Sequence, residues 1–228
     1  MKSNLLRWIP ALMLAACLGS AALAETAVPP PTAAELGRSL QVGDVVFIQV
    51  RPYPFRRVSQ ATQSWVNHVG IVADISGSEP LVAESTFPLS RLTPLARFVA
   101  RSEAGRVAVA RLDRPLTDEQ GRKVLAASRE RLGVHYDTGF DLHSRGQFCS
   151  RFVREVLGQA TGVEVGEVET FRALLTQNPD TDLSFWRLWF LGSIPWQRET
   201  VTPASLLRSG RLHRVFDGHV AQSHARNV

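Results

Sequence analysis

Four short apolar, β-branched runs come before any helical periodicity, and that order is the strongest constraint on how the chain can fold. Asp44 to Val50, His68 to Ile75, Pro80 to Ser85 and Arg106 to Asp113 have the length and composition of strands. The last alternates charged and apolar residues and stops at Pro115. Helical patterning begins only after Thr117. Strands first and helices afterwards predict an α+β fold, with an antiparallel sheet or small barrel over Asp44 to Asp113 packed against helices.

Caps mark the helices as clearly as their period does. Thr117 with Gln120 fits a capping box, and Asp118 and Glu119 suit the positive end of the dipole. Gly133 follows the last apolar residue, so a helix is expected from Asp118 to Leu132. A second begins near Cys149. Phe148, Phe152, Val153, Val156 and Leu157 share a face at helical spacing, and Gly158 is read as its end. Tyr136 to Gln147 connects the two, and Glu164 to Glu199 reads as helices and loops that shape a pocket.

The N-terminus reads as an export signal. Lys2 and Arg7 give a positive start, Trp8 to Leu18 are mostly apolar, and Ala22-Leu23-Ala24 offers a cleavage site, so residues 1–24 are expected to be removed. Leu14-Ala15-Ala16-Cys17 also has the form of a lipoprotein box, which leaves lipidation of Cys17 open. Residues 25–35, with Pro29-Pro30-Pro31, read as a linker, 36–218 as one domain and 219–228 as a tail. A periplasmic or cell-envelope location follows. Of 26 basic residues, 24 are arginines spread along the chain, and without Lys2 and Arg7 the formal charge falls from +5 to +3. Nucleic acid usually demands a clustered basic face, so it is not expected as a partner.

Processing at either site leaves Cys149 as the one free thiol of the folded domain. At a helix N-terminus the unpaired N–H groups and the peptide dipoles stabilise a thiolate, and the same N–H groups can hold an oxyanion. The plainer alternative is a small apolar residue packed under the helix. Its flanks, Gln147 and Ser150, favour a partly exposed turn. Among six histidines, His68 is the odd one, because it opens the apolar run His68-Val69-Gly70-Ile71-Val72. If Ile75-Ser76-Gly77 is a three-residue hairpin loop, His68 comes opposite Glu84, the one acid after Leu81-Val82-Ala83. That carboxylate could orient the ring, or pair with an arginine such as Arg91.

Gly43-Asp44-Val45-Val46-Phe47, His68-Val69-Gly70-Ile71-Val72, Gly133-Val134-His135-Tyr136-Asp137 and Phe148-Cys149-Ser150 resemble the motifs of the NlpC-type papain-like cysteine hydrolases. Here the cysteine block follows the histidine block, which resembles the circularly permuted branch typified by YiiX- and YebB-like proteins. The resemblance covers Leu40 to Gly158. It implies a permuted papain-like fold, Cys149 as nucleophile, His68 as base and Glu84 as the third polar residue, with Tyr136 and Ser150 near the substrate and oxyanion. No cofactor and no metal is expected. Where that branch often has Glu two places after the cysteine, this chain has Arg151.

Such a site would hydrolyse an amide or ester by acyl transfer to the thiol. The expected substrates are a small peptide, a peptidoglycan fragment or an acyl lipid. Two other classes remain. His135, Asp137, Asp141 and His143 crowd ligand-type side chains into nine residues, which could hold a cation. Alternatively, the frame could be a catalytically weak binding protein. The aromatic stretch Phe185 to Trp196 is too short to span a bilayer; it reads as core, lid, or a surface for peripheral membrane contact.

Overall fold

The computed structural model describes residues 29–178 and 180–222. The expected signal sequence, Cys17 and the first residues of the linker lie outside them. In chain order the elements are α1 (Ala33–Gly37), β1 (Val45–Val50), α2 (Tyr53–Ala61), β2 (His68–Asp74), β3 (Leu81–Glu84), β4 (Arg91–Pro94), α3 (Leu95–Val99) and β5 (Ser102–Leu112). They continue as α4 (Asp118–Glu130), α5 (Cys149–Thr161), β6 (Val168–Thr170), α6 (Phe171–Thr176), α7 (Leu183–Trp189), β7 (Glu199–Val201), α8 (Pro203–Leu207) and β8 (Leu212–His219).

Six strands form one antiparallel sheet in the order β4-β3-β2-β1-β5-β8, and β6 pairs with β7 in a small ribbon. Of the two sheet forms expected, this is the open sheet and not the barrel. Its central strand β1 is apolar at nearly every position because both faces are covered. Val45 and Phe47 face the larger core with α4, α5 and α8, whereas Val46, Ile48 and Val50 face a second core with Leu36, Leu95, Phe98 and Val99 of α1 and α3. A third, aromatic cluster joins α2, α6 and α7 through Ala61, Phe171, Leu175 and Trp186.

Several boundaries move. Thr32 caps α1 with a reciprocal box to Glu35, so a helix starts inside the stretch read as linker. At the other end β8 runs through His219, Val220 is buried, and its N–H donates to the Gly105 carbonyl, so the fold extends past residue 218. Thr117 and Gln120 do form the expected capping box of α4. Helix α5, however, passes through Gly158 and ends on Gly162, whose φ of 74° is the left-handed cap that favours glycine. Nothing forces a stop at Gly158, where an added Cβ would meet only Cγ of Glu164 at 3.9 Å.

Candidate active site

Helix α5 packs against β2, and two hydrogen bonds set its first turn in place. The Ser85 hydroxyl, just past β3, donates to the Gln147 carbonyl at 2.8 Å, and the Ser150 hydroxyl donates to the Val201 carbonyl at 2.7 Å. Gln147 and Ser150 are both buried, so the exposed turn expected around Cys149 is instead an interior one. The Ser150 hydroxyl spends its proton on β7, so what this residue can offer an oxyanion is its backbone N–H in the first turn. Cys149 itself is only 4% exposed. The N-cap residue Phe148 offers no side-chain acceptor, and the first intrahelical bond is from the Phe152 N–H to the Phe148 carbonyl at 2.9 Å. The N–H groups of Cys149, Ser150 and Arg151 precede it, which is where an anion is best held.

The residues singled out for chemistry converge on this turn. Nε2 of His68 donates to Oε2 of Glu84 at 2.6 Å, and both side chains are buried. With Nε2 so engaged, Nδ1 is the ring nitrogen left free. It has no hydrogen bond of normal length among the described residues, yet the sulfur is near enough to perturb the ring. Burial pushes the His68 pKa down, but the nearby Cys149 and the Glu84 carboxylate outweigh it and lift the value to about 9. Burial likewise pushes Glu84 up, and is overcome by the His68 hydrogen bond and charge and by Arg101, which hold it at about 2. An imidazolium clamped to a carboxylate beside a thiol is an arrangement that can serve nucleophilic catalysis.

Three supporting residues left no local signal in the sequence. Arg101, from the α3–β5 turn, donates to Oε2 of Glu84 at 2.7 Å, and Thr93 on β4 donates to Oε1 at 2.7 Å. Phe98 of α3 lies against the His68 ring with centroids 5.6 Å apart. Arg91, the alternative partner considered for Glu84, stands farther off at 3.7 Å. Asn67 is not a partner of His68; its side-chain amide pairs with the Val50 backbone.

Tyr136 comes to the same place from the loop before α5. Its hydroxyl is buried without a partner among the described residues. Burial, then the nearby Cys149, push its pKa well above the usual tyrosine range, so the group remains a donor.

Arg151 occupies the space between α5 and that loop. Nε binds Glu155 at 2.7 Å, while Nη1 reaches the Ser144 and Gly146 carbonyls at 2.9 and 3.0 Å. It therefore fastens the loop to α5. The four loop residues weighed as metal ligands are dispersed on other work. Asp137 accepts from the Gly139 and Asp141 N–H groups and the Ser144 hydroxyl, His143 pairs with Glu199, and His135 is exposed. Among the described residues no three His, Cys, Asp or Glu side chains converge as a metal site.

Comparison with known proteins gives the same answer as the geometry. The YiiX protein of Escherichia coli (strain K12), described as uncharacterized, is 27% identical over 175 residues, which is 77% of this chain and 85% of that protein. A crystal structure titled as the metalloprotein yiiX from Escherichia coli O157:H7 superposes with a TM-score of 0.70 at 25% identity, covering 78% of this chain and 98% of that one. A family model described as the permuted papain-like amidase enzyme, YaeF/YiiX, C92 family, matches residues 39–216. With a match running from before β1 into β8, the chain belongs to the permuted papain-like amidases, a family of cysteine-peptidase-like amide hydrolases.

Proposed function

We propose that this protein is an exported amidase that cleaves an amide or ester bond in a cell-envelope peptide or acylated lipid through a thioester on Cys149. The observation that carries this reading is the meeting of Cys149, His68 and Glu84 in one buried cluster at the N-terminus of α5. In this scheme the Cys149 thiolate attacks the substrate carbonyl, and the first-turn N–H groups and the Tyr136 hydroxyl receive the oxyanion. His68 gives its proton to the departing amine, Glu84 holding the ring in line. Water, deprotonated by His68, then attacks the thioester and frees the acid. No cofactor enters. Export rests on the N-terminal residues alone, which lie outside the described part. Peripheral membrane contact through Phe185 to Trp196 narrows to two side chains: Leu188 and Leu191 are 79% and 97% exposed, while Trp186 packs inward.

Replacing Cys149 by Ala should abolish turnover, and iodoacetamide at neutral pH should add one carboxamidomethyl group to the wild-type chain at Cys149. Unchanged hydrolysis in the variant rejects the reading. The alternative, a weakly catalytic binding protein on the same frame, draws on the near-complete burial of Cys149. Calorimetric binding of an envelope fragment without product, together with an unreactive thiol, would establish it.

A further inference from the structure

A polar cavity opens on the His68 side of the site, with Arg51, Phe55, Thr86 and Arg101 also in its wall. Counted out to its mouth it holds about 1050 Å³, the scale of a small-molecule site. Phe55 borders both this cavity and the space at Cys149, so the two are neighbours.

Among the described residues no Asp or Glu lines this cavity, whereas two arginines do. Arg101 spends Nη2 on Glu84 at 2.7 Å, but its Nε is buried without a partner among the described residues. Arg51 is exposed and makes no salt bridge among the described residues. A Cys149 thiolate would balance the His68 imidazolium, and Glu84 balances one arginine. The other is left over. Helix α2 adds to this surplus, because it starts at the cavity with Pro52 as its N-cap, no side chain caps it and no acid occupies its first turn. The positive end of its dipole is uncompensated there. Surplus positive charge, an unspent buried N–H and an uncapped helix start together suit an anionic oxygen group.

His68 gives its proton to the departing amine or alcohol, so the half of the substrate that enters this cavity is the leaving half. We propose that the cavity holds a carboxylate or phosphate carried by that leaving half, and that Arg51 selects for it. This rests on the cysteine-hydrolase reading above and names the chemistry of one side of its substrate. The S–C bond forms at the acyl carbonyl, the C–N or C–O bond breaks, and the amine or alcohol takes the His68 proton and departs with its anionic group intact. Water then gives its oxygen to the acyl carbon and returns a proton to His68.

The test compares p-nitroacetanilide with the same compound bearing a ring carboxylate beside the nitro group, so that only the charge of the leaving amine differs. The carboxylated anilide should show a kcat/KM roughly tenfold higher, the worth of one hydrogen bond to a charged group. That preference should shrink as salt is added. Arg51→Gln should bring the ratio down toward one, and Arg51→Lys should keep part of it. Binding gives a readout independent of turnover: β-alanine and O-phosphoethanolamine, titrated calorimetrically into the Cys149→Ala protein, should bind, and Arg51→Gln should weaken both. The tighter of the two tells whether the group is a carboxylate or a phosphate. Equal turnover of the two anilides with no binding of either amine, or a preference that Arg51→Gln leaves untouched, overturns the anion site while leaving the hydrolase intact. Failure of both anilides together with an unlabelled Cys149 overturns the hydrolase itself.

Discussion

Nε2 of His68 and Oε2 of Glu84 lie 2.6 Å apart, yet the two residues are not cross-strand partners. The β2–β3 register pairs Ile71 with Ala83 and Val72 with Val82, and continuing it sets Glu84 level with Gly70, two places from His68. The ion pair therefore runs diagonally over the one position in β2 without a side chain. Phe98 fills the rest of that space and lies against the His68 ring. Glycine at position 70 is thus a condition of the pair, not a neutral filler.

Gly70→Ala should show this directly. An added Cβ would sit 2.5 Å from Cγ1 of Val82 and 3.0 Å from both the Ala83 carbonyl and Cε2 of Phe98, too close for any of them. Overpacking of this kind costs about 1–3 kcal/mol. We expect a lower urea midpoint and reduced activity with Cys149, Glu84 and His68 all unaltered in sequence. A variant as stable and active as the parent would show that Phe98 and the ring do not depend on this space.

Glu84→Gln keeps the shape and removes the charge. With one of its two raising partners gone, the His68 pKa should fall from about 9, and the alkaline limb of the pH–activity profile should move with it. Loss of kcat/KM should be roughly 10²- to 10⁴-fold, the usual weight of a positioned acid–base group. A limb that stays in place would mean that another group sets it.

Stability should follow the same pair. His68 is raised from 6.5 to about 9, so its contribution is complete below the lower value and is lost as pH climbs through the upper one. Glu84 is lowered from 4.5 to about 2, so its contribution is complete above 4.5 and is lost as pH falls toward 2. The wild-type urea midpoint should be lower at pH 9 than at pH 6, and His68→Gln should flatten that slope. A wild-type midpoint that rises over this interval contradicts the coupling.

Much of this arrangement was legible in the residues. The strand runs, the capping box at Thr117 and the placement of Cys149 at a helix start all depend on local pattern, and all are found. The pairing of His68 with Glu84 was also reached, but by a register two residues off. The loop between β2 and β3 spans residues 75–80, an Asx turn at Asp74 opens it, and the register slips between Val72 and Asp74. Arg101, Thr93 and Phe98 could not be read in advance, because each reaches the site only through the fold of β4 and α3. The end of α5 was misread for a related reason: a glycine is compatible with stopping a helix, but only the left-handed backbone at Gly162 does so here.

Arg151 makes a prediction about the loop rather than the chemistry. Its guanidinium ties Glu155 to the Ser144 and Gly146 carbonyls across a half-buried seam. Arg151→Ala should lower stability by about 1.5–3 kcal/mol, the range for hydrogen bonds to a charged group, and should expose residues 138–146 to limited proteolysis. Tyr136 sits at one end of this loop, so activity should decline as the loop loosens. Cleavage no faster than in the parent would show that the Asp137 hydrogen bonds hold the loop alone.

Tyr136→Phe separates catalysis from stability most cleanly. The hydroxyl is buried and unpartnered among the described residues, Tyr136 lines the same cavity as Cys149, and its ring is positioned by Phe55 and Phe140 at centroid distances of 6.3 and 6.4 Å. A buried hydroxyl with no hydrogen bond destabilises a fold, so removing it should leave the urea midpoint unchanged or raise it by as much as about 1 kcal/mol in equivalent stability. If that hydroxyl donates to the oxyanion, kcat should drop by roughly 10²- to 10³-fold, the cost of losing one such donor. Thiol labelling should persist, because Cys149 and His68 are untouched. A variant whose kcat stays within about twofold of the parent would remove Tyr136 from the oxyanion site and leave the N–H groups at the start of α5 to hold the charge.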